Sequence, residues 1–220
     1  MVNLCTAIER IASYLPLSYM NIVKRSLCKG AGSILDVGCG KGQLMEIVNR
    51  SKDFFVVGID LYATYIKECK RRGTHSDYLV SDARFLPFRR KSFDTVLCLQ
   101  VIEHLSKGDG LRLIQNAEET ARKQVIISTP AGLFRQKAYD GNPLQIHKSS
   151  WVLTEFKVLG YKVKGQGLPV VYGERGLART LPRFLAYPTS VLSYAFSPLT
   201  YRVPQIAAHF IAVKSLAPRI

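Results

Sequence analysis

The apolar positions of the chain fall into short, nearly unbroken runs separated by mixed segments. Ser33–Val37 (SILDV), Phe54–Asp60 (FFVVGID), Phe93–Leu99 (FDTVLCL) and Gln124–Ser128 (QVIIS) have the length and continuity of strands covered on both faces. Gln43–Asn49, Ala63–Arg72 and Gly108–Ala121 read as the helices between them, and Asp77–Val80 as a further short strand. Before the first strand, Ile8, Ile11, Leu15, Ile22 and Val23 form an apolar stripe that predicts a helix over Leu4–Leu27, broken at Pro16. Later, Ser149 or Ser150 is expected to cap a helix running to Leu159 and stopped by Gly160. Tyr161–Gln166 and Ala207–Lys214 are expected to be the last strands. Alternating strands and helices define an α/β, doubly wound, mostly parallel sheet whose ligand sits at the strands' carboxyl ends.

With 220 residues, 47% apolar and 21% charged, the chain has the balance of one soluble globular domain over residues 1–220. Within it, 1–30 is a helical N-terminal segment and 168–206 an insertion before the last strand. No charged residue falls between Arg183 and Arg202, a length near that of a membrane span. Pro188 and Pro198 argue against spanning and favour an apolar lid or an interfacial segment, displaying Phe184, Tyr187, Tyr194, Phe196 and Tyr201. The bland alternative packs these aromatics against the N-terminal helix. Arg175, Arg179, Arg183 and Arg202 flank the segment and suit lipid phosphates or an anionic substrate. The net charge of +15 is compatible with nucleic acid, anionic lipid or an acidic small molecule. Cys5, Cys28, Cys39, Cys69 and Cys98 are scattered and form no C-x-x-C pair, so neither a metal site nor a disulfide framework is expected. The start of the chain lacks the order of a signal peptide, which makes a reducing cytoplasm the expected compartment.

The chemistry concentrates in Leu35–Leu44, LDVGCGKGQL. A triphosphate loop would place its lysine after the last glycine and follow it with a hydroxyl. Here Lys41 precedes Gly42 and Gln43 follows, so that reading is rejected. A dinucleotide fingerprint would put its third glycine where Gln43 stands, which weakens that reading and leaves it open at this turn. Asp60, Asp82 and Gln100 end the strands that follow.

In order along the chain, ILDVGCGKGQL, VVGIDLY, SDARFLPFRRKSFDTVLCLQVIEHL and HKSSWVLTEFKVLGYKV resemble the successive motifs of class I S-adenosylmethionine-dependent methyltransferases, in the form typical of their small-molecule branch. The resemblance covers roughly Ser33 to Lys164 and the last strand. It implies a seven-stranded sheet with an antiparallel last strand, helices on both faces, and S-adenosylmethionine as methyl donor. It further implies that Gly38, Cys39, Gly40 and Gly42 let the donor's amino-acid end approach bare backbone, with Asp36 near its ammonium through water. Asp60 takes the position of the acid that accepts both ribose hydroxyls, and Leu61 lies against the adenine. Asp82 and the backbone of Ala83 match the pair that reads the adenine edge, and Gln100 and Val101 flank the methionine portion.

Glu103 and His104, just after the fourth strand, are the first candidates for acid–base work on the acceptor, and His147, before the late helix, faces the same side. A structural pair opening a helix is the bland reading of the first two, and a capping role that of His147. Quinone-pathway O-methyltransferases resemble this stretch, with an E-x-x-E-H array holding a divalent ion. Gln100 stands in place of its first acid, and no metal is carried over. His209 reads as a sheet residue and His75 as a loop histidine. The expected partner is a small-molecule acceptor, lipophilic or anionic, with peripheral membrane contact through 184–201. Methylation of RNA is the alternative, although LQVIEHL stands where an N/D-P-P-Y amino-methylating motif would lie. A non-catalytic cofactor-binding module is the second alternative.

Overall fold

The structure is a computed structural model describing residues 15–132, 134–138, 140–174 and 176–216, without the side chains of 179 and 183–187. The predicted helix from Leu4 therefore lies partly outside the described residues. Its latter half appears as α1 (Tyr19–Ser26), where the Ser18 hydroxyl accepts from the Asn21 N–H and Ile22 and Val23 are buried.

One sheet organises the rest. Its strands are β1 (Ser33–Val37), β2 (Phe55–Asp60), β3 (Asp77–Val80), β4 (Phe93–Leu99), β5 (Ala121–Pro130), β6 (Lys162–Gln166) and β7 (His209–Ser215). Their spatial order is β3-β2-β1-β4-β5-β7-β6. β1 to β5 pair in parallel, while β7 runs antiparallel to both neighbours. The reversal between β1 and β4 makes the switch point at which such sheets bind ligands. Every residue of β4 is buried, which explains why its sequence shows no alternation. The helices α2 (Gln43–Val48), α3 (Ala63–Arg72) and α4 (Lys107–Thr120) follow β1, β2 and β4. One apolar cluster joins Leu35, Val37, Val96 and Ile127 to Leu113, Trp151 and Phe156, and another joins Ile34, Val56 and Leu97 to Ile22, Val23 and Met45. At about 1.5–3 kcal/mol for each large aliphatic side chain buried, these two layers are the main source of stability.

Two boundaries differ most from expectation. β5 extends to Ala121–Pro130 because β7 pairs with it as far as Pro130. The late helix, α5 (Leu153–Val158), begins after both serines. The Ser149 hydroxyl instead donates to the Ile102 carbonyl and accepts from the Trp151 indole, so buried Trp151 holds the chain extended up to Val152. The Glu155 carboxylate accepts from the Val152 N–H and supplies the cap.

The segment before β7 forms α6 (Pro169–Tyr172), α7 (Leu177–Thr180), α8 (Arg183–Ala195) and α9 (Ser197–Arg202). α9 lies along the edge strand β6, the Lys164 ammonium stands 5.0 Å from the Tyr201 ring centre, and the Tyr194 hydroxyl donates to the Pro16 carbonyl. Val191, Leu192, Phe196 and Leu199 are exposed. No helix among the described residues is long and apolar enough to cross a membrane.

Candidate active site

The carboxyl ends of β1, β2 and β4, with the turn after β3, open on one cleft. Gly38, Asp60, Leu61, Asp82, Ala83, Gln100, Val101 and His104 all line it. Among the described residues lining it, none comes from the 168–206 insertion, which packs along β6 and bonds through Tyr194 to the Pro16 carbonyl instead of covering this opening.

The glycine turn is shaped for close approach. Gly38 has φ +71, and a Cβ there would come within 2.4 Å of the Val101 side chain. Gly40 has φ +54, and a Cβ there would meet nothing within 4 Å. Its N–H donates to Asp60 Oδ2 at 3.0 Å, and the Tyr62 N–H donates to Oδ1 at 2.8 Å. Burial raises the Asp60 pKa, with these two hydrogen bonds opposing it. A carboxylate offers about four lone-pair sites, so two donors orient Asp60 and leave acceptor capacity facing the cleft. Bare backbone with an oriented carboxylate behind it fits the amino-acid end and ribose of S-adenosylmethionine. Lys41 turns away from the cleft to pair with Glu68 and Asp140 and stands over the Tyr65 ring, consistent with its unsuitability for a triphosphate.

Asp36 is placed differently from expectation. Asp36 is 4% exposed, and its Oδ2 lies 3.0 Å from His75 Nε2. It braces the floor of the turn and does not reach the cleft. His75 lies in the loop before β3, as expected, with its ring buried against Asp36. Burial alone would lower its pKa, but the Asp36 contact and the neighbouring Cys69 raise it to about 9. Asp82 lines the cleft, but Arg84 grips both its oxygens, with Nε at 3.0 Å and Nη2 at 2.6 Å from Oδ2. That guanidinium holds the Asp82 carboxyl below its ordinary range. Gln100, at φ +57, gives its N–H to the Ser128 carbonyl at 2.9 Å and its side-chain amide to the Ser128 hydroxyl at 3.2 Å. Its amide nitrogen is thus committed to Ser128, and Gln100 stands in place of the first acid of the E-x-x-E-H array.

At the outer end of the cleft, donor atoms of Glu103, His104 and His147 lie within 4.8 Å of one another. The two imidazoles meet edge to face at 4.8 Å between ring centres. His147 Nδ1 lies 2.6 Å from the Phe134 carbonyl, so it donates there and caps no helix. Burial and the neighbouring His147 lower the His104 pKa to about 4, keeping that ring neutral. Glu103 is 2% exposed, and burial raises its carboxyl to about 8. Above its ordinary value of 4.5 the unfolded Glu103 ionises while the folded one keeps its proton up to about 8, so its contribution to stability declines across that window. We expect Glu103→Gln to gain stability relative to wild type by roughly 1 kcal/mol per pH unit between pH 5 and 8. Urea unfolding at several pH values measures this, and parallel profiles for the two proteins would contradict it.

Sequence reasoning missed the loop after β5. Asn142, Leu144, Gln145 and Lys148 complete the cleft, and Lys148 also lines a second groove with Phe134, Arg135 and His147. The signal available was position alone, since this loop leaves a carboxyl end of the sheet. Among the described residues, neither Arg135 nor Lys148 pairs with a carboxylate.

The sheet order and the cleft at its switch point define a class I, Rossmann-like fold. A family model described as a methyltransferase domain matches residues 34–124. The uncharacterized protein MJ1252 of Methanocaldococcus jannaschii is 27% identical over 184 residues, 70% of each chain. The tRNA (carboxymethyluridine(34)-5-O)-methyltransferase ALKBH8 of Mus musculus is 32% identical over 93 residues, 42% of this chain and 13% of that protein. The ubiquinone biosynthesis O-methyltransferase of Bartonella quintana is 38% identical over 77 residues, 33% of this chain and 31% of that one. A solved S-adenosylmethionine-dependent methyltransferase from Archaeoglobus fulgidus superposes with a TM-score of 0.56 at 18% identity, covering 97% of this chain and 100% of that one. Residues 34–124 carry a methyltransferase domain on a class I, Rossmann-like fold, and S-adenosylmethionine is its methyl donor.

Proposed function

We propose that this methyltransferase acts on a small anionic acceptor. The observation that carries the reading is the junction of the cofactor cleft with a groove bearing Arg135 and Lys148, made at His104, His147 and Lys148. An anion held by the two cations would extend its reactive end past the paired imidazoles toward the cleft. In this reading Asp60 holds the ribose hydroxyls, Leu61, Asp82 and Ala83 receive the adenine, and Gln100 and Val101 flank the methionine portion. Asp36 acts indirectly, by fixing the glycine turn through His75.

S-adenosylmethionine supplies a methyl group on a sulfonium, already a good leaving group, so the chain's task is alignment. His104, neutral near pH 7, accepts a hydrogen bond from an acceptor hydroxyl and aims the oxygen lone pair at the methyl carbon. An oxygen that has just gained a methyl group is strongly acidic, so even this weak base suffices to remove its proton.

The test uses labelled methyl transfer into the low-mass fraction of a cell extract. Arg135→Ala/Lys148→Ala is expected to lose at least about tenfold in transfer at limiting acceptor, from two charge-assisted contacts, while S-adenosylmethionine affinity stays within about twofold. Undiminished transfer would remove the anionic-acceptor reading. Methylation of RNA is the second reading, supported by the +15 charge and by the similarity to a tRNA methyltransferase.

A further inference from the structure

Beneath the glycine turn lies a cluster that methyl transfer does not use. Cys39 comes from the turn itself, Cys69 from the second half of α3, and His75 from the loop before β3. All three are buried, and their sulfur and ring-nitrogen atoms lie within 4.8 Å of one another. His75 Nδ1 stands 3.3 Å from Cys69 Sγ, while Nε2 is held 3.0 Å from Asp36 Oδ2. A carboxylate on the far nitrogen is how proteins orient a metal-ligating imidazole. The Thr74 hydroxyl, 2.9 Å from His75 Nδ1 and 3.6 Å from Cys69 Sγ, brings an oxygen to the same point. Gly58 of β2 forms the floor, where a Cβ would approach the His75 ring to 2.8 Å and Cys39 Sγ to 3.1 Å.

We propose that Cys39, Cys69 and His75 bind a zinc ion, with Asp36 as the orienting carboxylate, clamping the glycine turn to α3. Tetrahedral zinc with bonds of about 2.3 Å to sulfur and 2.0 Å to nitrogen sets sulfur and nitrogen about 3.6 Å apart, and two sulfurs about 3.8 Å apart. The observed spacing reaches that geometry with small side-chain shifts. Two thiolates and an imidazole are donors that suit zinc, and binding releases the thiol protons to solvent. Because Cys39 lies between Gly38 and Gly40, the ion fixes the backbone against which S-adenosylmethionine rests.

The full chain is purified under reducing conditions from zinc-supplemented cells, and its metal content is measured by plasma mass spectrometry. One equivalent of zinc is expected in wild type and in Cys28→Ser, whose thiol lies elsewhere, beside Thr95. Loss of that zinc is expected in Cys69→Ser and in His75→Ala. A wild-type chain without zinc, or a variant that keeps it, overturns the proposal. If the variants do not fold, titration of metal-free wild type with Co2+ decides. A thiolate-to-cobalt absorption band that Zn2+ abolishes supports the site, and no band refutes it. A mass showing a Cys39–Cys69 disulfide in the reduced preparation also refutes it.

Discussion

Replacing Asp60 by alanine is expected to weaken S-adenosylmethionine binding about thirty- to a hundredfold by calorimetry. The carboxylate stands at the end of β2 with its two oxygens already oriented by the Gly40 and Tyr62 amides. Hydrogen bonds to a charged group contribute about 1.5–3 kcal/mol, and two ribose hydroxyls would share this one acceptor. The alanine removes that acceptor and also leaves the Gly40 N–H without its partner, loosening the turn proposed to carry the methionine end. Asp60→Asn keeps one oxygen for the Tyr62 or Gly40 amide and is expected to fall between the two. An Asp60→Ala chain binding within about threefold of wild type would contradict the assignment of the ribose contact.

Gly38→Ala is expected to destabilise the fold by about 2–4 kcal/mol in urea unfolding. Two causes act together: φ of +71 places an L side chain in the left-handed region, and its Cβ would come within 2.4 Å of a Val101 methyl. Only the second involves Val101, so a double-mutant cycle separates them. In a Val101→Ala background the glycine replacement is expected to cost at least about 1 kcal/mol less. Equal costs in the two backgrounds would show that the contact between the turn and Val101 carries no energy.

The strands were legible because a parallel sheet covered on both faces leaves continuous apolar runs. Accordingly β1, β3 and β4 have the predicted bounds, as does α3, which Gly73 ends in a left-handed cap. The cleft was legible for a related reason. In this topology residues at successive strand ends converge, so Gly38, Asp60, Asp82 and Gln100 are brought together by their order along the chain. Side-chain pairing was not legible. Nothing local in GTHSDYL indicates that His75 is buried against Asp36, 39 residues earlier, with the Tyr78 hydroxyl over its backbone. Cys39 and Cys69 likewise lack the close spacing of a sequence motif, and only the packing of α3 beneath the turn brings them together. Arg84 gripping Asp82 follows from a turn geometry that the dipeptide spacing does not reveal. The late helix started beyond its predicted serines because a tertiary contact, the burial of Trp151, outweighed a local capping preference.

The measurement that tests the account most directly follows a labelled methyl group from S-adenosylmethionine into a whole-cell extract, fractionated with and without nuclease treatment. The account predicts nuclease-resistant label in a low-mass product retained on an anion exchanger, reduced at least about tenfold with Arg135→Ala/Lys148→Ala. Label recovered in RNA, released by nuclease and insensitive to those two substitutions, would contradict it.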